Sequence, residues 1–225
     1  MTDTGPLRRQ GVAVEVVDDV AAAFSRLVVA EAPRSLAVSG GSTARRCYER
    51  LAQEAGVDWR AVEIFLGDER WVPVDHDDSN EGMARRALLD HVEVAAVHSM
   101  RGAGRTPEEA AAGYDAVLRR RQPLDLVHLG LGADGHTASL FPGSSSLAEG
   151  DRLVVAAGDD RHAHRRVTLT LPALARARLL VFTVAGAEKR EAFARVRGGD
   201  DVPAARVRAA RIRWLVDRAT AGEDP

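Results

Sequence analysis

The run LDLVHLGLGADGHTASLFPG, Leu124 to Gly143, sets a short apolar segment directly ahead of a loop that holds four glycines, an aspartate, a histidine and two hydroxyl side chains. The apolar pattern over Leu124–Gly130 reads as a buried strand, and glycine just after a strand lets backbone approach a ligand or a neighbouring segment closely. A strand leading into a glycine-rich turn is the building unit of α/β folds, whose ligands sit beyond the carboxyl ends of the strands. Two chemistries compete for this loop. Its bare N–H groups suit a phosphate, whereas His136, two residues from Asp134, is the side chain best poised to move a proton near neutral pH.

Outward from this loop, short β-branched runs alternate with longer Ala/Leu/Arg segments of helical period, the pattern of an α/β protein with a mostly parallel sheet. Strands are predicted at Val12–Val17, Ser35–Ser39, Val62–Leu66, Leu124–Gly130, Arg166–Thr170 and Leu179–Ala185, with a weaker one at Ala96–Met100. Helices are predicted at Asp18–Glu31, Thr43–Ala55, Ser79–His91, Thr106–Arg121, Leu171–Ala177, Ala187–Arg197 and Ile212–Thr220. Asp18 and Ser79 are good N-cap types, and Thr106 precedes Pro107 and Glu108. No internal repeat or long linker interrupts the pattern, so residues 1–225 are expected to form a single domain, with Gly143–Asp151 and Gly158–Arg165 as its most loop-like segments.

Composition narrows the function classes. The 225 residues are 45% hydrophobic, ample for a sizeable core, and carry a net charge of −2, so no global field recruits nucleic acid or an anionic membrane. One cysteine, Cys47, excludes a disulfide framework or thiolate metal cluster and fits a reducing cytosol. The beginning MTDTGPLRRQ lacks an apolar leader core, and no stretch approaches the ~18 apolar residues of a membrane span. A soluble cytoplasmic protein is expected, as a monomer or at most a weak dimer.

Two further loaded stretches fall at the same predicted sheet edge. Ser39-Gly40-Gly41-Ser42-Thr43 lies between a strand and a helix, where glycines, free helix-terminal N–H groups and hydroxyls suit a phosphate; a plain glycine turn with a serine cap is the alternative. It is neither a Walker A loop nor a GxGxxG fingerprint, which disfavours a nucleotide. Gly67-Asp68-Glu69-Arg70 gathers two acids and a guanidinium at a strand exit; Arg70 suits a developing oxyanion, and Asp68 or Glu69 suits a base-orienting or sugar-binding role, against the alternative of a surface ion-pair cluster. Later, Arg166 and Lys189 are cations placed to complete a phosphate pocket. His162 and His164 lack the spacing and partners of a metal site, and no metal or other cofactor is expected.

SGGST, GDERWVP followed by DDSN, GLGADGHTASLFPG, RVTLT, VAGAEK and a VPAARV…W..D tail, in this order from Leu36 to Asp217, resemble the 6-phosphogluconolactonase family, within the group that includes glucosamine-6-phosphate deaminase. The resemblance implies a three-layer α/β/α, Rossmann-like fold and a carboxylic ester hydrolase that opens 6-phospho-D-glucono-1,5-lactone. Carried onto this chain, it makes His136 the general base, with Asp134 or Asp68 orienting it, and Arg70 the stabiliser of charge at the lactone carbonyl. Gly40, Gly41, Ser42, Thr43, Arg166 and Lys189 would hold the phosphate, while Glu69, Asn80 and Gly135 would support the loops or touch sugar hydroxyls. A δ-lactone is an activated ester, so a base, water and an electrostatic stabiliser suffice. One departure stands out: Ala44 occupies the position after SGGST where family members commonly carry proline, which softens the loop without removing a ligand.

Two rivals accompany this reading. A deaminase of the same fold resembles this chain at SGGS and DGH, but carries Asp-Glu-Tyr where Asp68-Glu69-Arg70 stands and a glutamate soon after DGH, whereas TASLFP follows His136 here. A non-catalytic sugar-phosphate sensor on this fold would need a DNA-binding helix-turn-helix, and the residues before the SGGST strand read as strand plus helix.

Overall fold

The computed structural model describes residue 7, residues 10–158 and residues 163–223. His162, part of the loop at 158–165 and most of the segment read for a leader lie outside the described residues. Ten strands run β1 (Val12–Val17), β2 (Ser35–Val38), β3 (Glu63–Leu66), β4 (Asp68–Arg70), β5 (Ala96–Val97), β6 (Leu126–Leu129), β7 (Val154–Ala157), β8 (Arg166–Leu169), β9 (Leu179–Val184) and β10 (Ile212–Asp217). Seven form one sheet in the order β1-β10-β9-β6-β2-β3-β5, with every neighbouring pair parallel. Every residue of β6 and β9 is buried, as central strands covered on both faces require. From β2 the chain moves to β3 and β5 on one side; from β6 it moves to β9 and β10 on the other. The junction of β2 and β6 is therefore the topological switch point, where loops diverge and leave a crevice.

Helices cover both faces of this sheet, the α/β/α layering expected from the sequence. On one face lie α1 (Val20–Glu31) and α2 (Ser42–Leu51), with Phe24 of α1 stacked 4.1 Å from the His128 ring. On the other, Phe193 of α5 (Arg190–Gly198) leans on Trp214, which itself stacks on Phe182 at 3.8 Å. The helix α4 (Pro107–Arg119) joins the large sheet to a small antiparallel one, β4-β8-β7. Leu66 N–H in β3 donates to the Tyr114 hydroxyl, and Leu153 N–H, just before β7, donates to the Asp115 carboxylate.

Several predicted elements change character. Ile212–Asp217 is a strand, not the start of a helix, because its β-branched and aromatic residues fill a slot between β1 and β9. Arg166–Leu169 is a strand but belongs to the small antiparallel sheet, and Asp68–Arg70, read as a loop, is its first strand. The short strand β7, an apolar run between Arg152 and Gly158, was not among the predicted strands. The segment predicted as one helix from Ser79 splits into α3 (Asn80–Ala84) and a π-turn, Arg85–Leu89. Ser79 and Thr106 cap as expected, but the first helix is capped by Asp19 rather than Asp18.

A buried polar chain crosses the first face. Ser39 N–H donates to the Tyr48 hydroxyl at 2.7 Å, Tyr48 is 2.7 Å from His128 Nδ1, and His128 Nε2 is 2.8 Å from Thr183 Oγ1. Burial pulls the His128 imidazole down from 6.5 to about 3. The unfolded chain thus takes up a proton here below about pH 6.5 while the folded chain does not, so this contribution to stability is complete above that pH and shrinks as the pH falls toward 3. Between pH 6.5 and 5 the loss is about 2 kcal/mol. In urea unfolding, His128→Gln should lose less stability than the wild type across that interval; equal losses would show that His128 titrates alike in both states.

Candidate active site

The loop after β6 folds around its own glycines. Gly132 N–H donates to the His136 carbonyl and Gly135 N–H to the Gly132 carbonyl, with Gly135 at φ +86°. A Cβ on Gly132 would lie 2.0 Å from His136 Nδ1, so only glycine lets the imidazole lie against the backbone there. The Asp134 carboxylate accepts from both the His136 N–H, at 3.0 Å, and His136 Nδ1, at 2.6 Å. Because the carboxylate can only accept, Nδ1 carries the proton and Nε2 is left as the basic nitrogen. Burial works to raise the Asp134 carboxyl, but its hydrogen bonds and charge attraction to His136 outweigh it and hold the group below its ordinary value. Asp134, rather than Asp68, is the carboxylate hydrogen-bonded to the histidine ring.

Because 68–70 is a strand, its side chains alternate. Asp68 and Arg70 face the cleft, and Glu69 points the other way, fully buried. Glu69 accepts from Ser79 Oγ and from the N–H groups of Arg70, Asn80 and Glu81, all within 3.0 Å. Burial raises its carboxyl above the ordinary range despite those four donors. It fastens the turn that begins α3 and does not meet the cleft. Asp68 accepts from Ser139 Oγ at 2.6 Å and from Asn80 Nδ2 at 3.1 Å. Ser139, one of the two hydroxyls of the loop, was not among the expected site residues.

Arg70 stands opposite Arg166 in the antiparallel register of β4 and β8, which brings the two guanidiniums into one wall of the cleft. Arg70 donates to the Asp78 carbonyl at 2.8 Å, whereas the buried Nε of Arg166 has no hydrogen-bond partner among the described residues. Burial lowers the Arg166 guanidinium from its ordinary value, the Asp68 charge opposes that, and Arg70 adds repulsion. An anion between them would relieve that repulsion.

The cleft encloses about 240 Å³ and is lined by Gly40, Gly41, Asp68, Arg70, Asn80, His136, Arg166 and Lys189, along with Ser39 and the turn at 130–133. A contiguous lobe of about 150 Å³ carries Ser42, Thr43, Thr183 and Lys189 at the N-terminus of α2, with Gly41 at φ +100°. Thus SGGST divides: its glycines border both spaces, Ser39 lines the cleft, and Ser42 and Thr43 line the lobe. Gly135 supports the loop beside Val202 and does not line the cleft. Thr183, absent from the sequence reading, sits mid-strand in an apolar run, where nothing marks a threonine as a site residue.

A family model described as glucosamine-6-phosphate isomerases/6-phosphogluconolactonase matches residues 8–216. The chain belongs to this family. A curated relative from Synechocystis sp., named 6-phosphogluconolactonase, is 42% identical over 205 residues, covering 84% of each chain. One of the same name from Mycobacterium tuberculosis is 38% identical over 232 residues, covering 92% of this chain and 94% of the relative. Among solved structures, the 6-phosphogluconolactonase of Trypanosoma brucei superposes with a TM-score of 0.78 at 29% identity, covering 93% of this chain and 97% of that one. Of the stretches that carry the resemblance, SGGST, GDER, DDSN, GLGADGH, RVTLT and VAGAEK each contribute residues to the cleft, and the VPAARV…W..D tail does not line it.

If Asp134 sets the tautomer, Asp134→Asn should reverse it, since an amide can donate to Nδ1 and move the proton to Nε2. Histidine ¹⁵N NMR should report Nδ1–H at residue 136 in the wild type and Nε2–H in the variant; an unchanged spectrum would show that the carboxylate does not decide.

Proposed function

We propose that this cleft hydrolyses 6-phospho-D-glucono-1,5-lactone to 6-phospho-D-gluconate, the second step of the oxidative pentose phosphate pathway. The observation that carries the reading is the His136–Asp134 pair, joined at 2.6 Å on the wall of a cleft that also holds Arg70, Arg166 and Lys189. His136 Nε2 takes a proton from water, and the hydroxide formed adds to the lactone carbonyl. Arg70 stabilises the oxyanion, and the ring C–O bond then breaks as His136 returns the proton to the leaving oxygen. Asp134 holds the imidazole in the required tautomer and balances its charge while protonated.

In this reading the phosphate occupies the lobe at Gly40, Gly41, Ser42, Thr43 and Lys189, and Arg166 adds positive charge from the neighbouring cleft. The phosphate is remote from the reacting carbon, so its contacts position the lactone rather than drive bond breaking. Amine chemistry fits less well. Thr137 and Ser139, just after His136, bond the Gly130 carbonyl and Asp68, and the next acid, Glu149, is tied to Asp151 N–H and Arg152 outside the cleft lining. The substrate is a free sugar phosphate, and the lone buried Cys47 suits the cytosol. Among the described residues no helix is long and apolar enough to cross a membrane.

The direct test is a pH-stat assay on freshly generated phosphorylated lactone, corrected for spontaneous hydrolysis, with glucosamine 6-phosphate as the control. Lactone turnover without ammonia release is expected; ammonia release would assign the cleft to the deaminase branch. His136→Ala should lower turnover by about 10²–10⁴-fold while leaving substrate binding largely intact, and near-normal turnover would overturn the assignment. Lys189→Ala or Arg166→Ala should instead raise KM by about 10–100-fold, the loss of one charge-assisted contact shared by ground and transition states. Loss of turnover at saturating lactone in either variant would show that the phosphate lies elsewhere.

A further inference from the structure

We propose that Thr183 donates its hydroxyl proton to the substrate's phosphate, and that Tyr48 and His128 act as positioning residues that aim this donor from inside the core. The inference rests on the placement of the phosphate in the lobe at the N-terminus of α2. Thr183 is 3% exposed and forms part of that lobe's wall with Gly41, Ser42, Thr43 and Lys189.

The hydrogen-bond directions follow from the chemistry of each group. Ser39 N–H can only donate, so the Tyr48 oxygen accepts from it. Tyr48 is fully buried, and the only other polar atom hydrogen-bonded to its hydroxyl among the described residues is His128 Nδ1. The phenolic proton must therefore point at Nδ1, because a buried O–H left without an acceptor is costly. With Nδ1 accepting, the neutral imidazole carries its proton on Nε2 and donates it to Thr183 Oγ1. Burial keeps both groups in these forms, raising the Tyr48 phenol and lowering the His128 imidazole.

Thr183 Oγ1 thus accepts a hydrogen bond from His128 and keeps its own O–H to donate. Among the described residues its other side-chain partner is the Cys47 thiol, and Thr183 also borders the lobe. Burial pushes the Cys47 thiol up to about 12, so it stays protonated and is a weak acceptor. A phosphate oxygen is far stronger. The same chain also anchors Ser39, the first residue of SGGST, so loop and hydroxyl are registered against one another through a single buried imidazole.

The test compares variants on the 6-phosphorylated lactone, with Lys189→Ala in the same assay. Thr183→Val, close in shape but lacking the hydroxyl, should raise KM about tenfold with kcat within about twofold of wild type, and Thr183→Ser should restore KM. Tyr48→Phe frees Nδ1 to carry the proton; His128 should leave the pure Nε2–H tautomer by ¹⁵N NMR, and KM should rise although residue 48 touches no substrate. A wild-type KM in Thr183→Val overturns the proposal. If Lys189→Ala alone raises KM, the phosphate remains assigned to the lobe and only the role of Thr183 falls. If neither variant moves KM, both assignments fall. A drop in kcat in Thr183→Val that Thr183→Ser does not reverse marks a packing role and also overturns the proposal, as does an unchanged His128 tautomer and KM in Tyr48→Phe.

Discussion

Parallel pairing of β2 with β6, Leu36 beside Leu126 and Ala37 beside Val127, is the constraint on which the cleft depends. It places two strands distant in sequence side by side with their carboxyl ends level. The SGGST turn and the GLGADGH turn therefore open toward each other across the switch point, and the crevice between them needs no further device. The glycines at the rim follow from the closeness of that approach. A Cβ on Gly40 would lie 1.9 Å from Asn80 Oδ1, and one on Gly132 would collide with the imidazole of His136.

A second constraint comes from Gly67, where the chain leaves the large sheet. Its N–H donates to the Val38 carbonyl in the parallel sheet, and its own carbonyl accepts from Leu169 N–H in the small sheet. The strand that follows is thereby turned so that Asp68 and Arg70 face the cleft while Glu69 faces inward to secure the start of α3. Four charged residues gathered at one spot thus have separate duties. Asp68 and Arg70 supply field, Arg166 joins them from across the ladder, and Glu69 satisfies the donors of a tight turn. Burial of Glu69 without those donors would be costly; with them it stiffens the wall that carries Arg70.

Below the cleft, the Tyr48–His128–Thr183 chain shows how a central strand of an apolar sheet can hold polar groups without penalty. Each nitrogen and oxygen has a partner, and Phe24 covers the imidazole from α1. A leucine at 128 would pack in the same place, but would leave the Tyr48 and Thr183 hydroxyls without their shared partner. Such a chain gives the floor of the lobe a direction, which packing alone does not.

Much of this was legible from order and spacing. The strand-turn-helix rhythm, the turn motifs and the position of His136 in a glycine loop are local features, set by residues a few positions apart. What the sequence by itself determined is therefore the set of turns, the layered class and the candidate histidine, while the choice of Asp134 over Asp68 as its partner came from the folded loop. Tertiary structure decided everything that depends on which strands become neighbours. Only the β4–β8 register put Arg166 beside Arg70, only the strand character of Asp68–Arg70 sent Glu69 inward, and only the slot between β1 and β9 made Ile212–Asp217 a strand. The reason is the range of the interactions: a turn or a capped helix is set by residues a few positions apart, whereas strand pairing and the burial it imposes are settled between segments as much as two hundred residues apart, as β1 and β10 are.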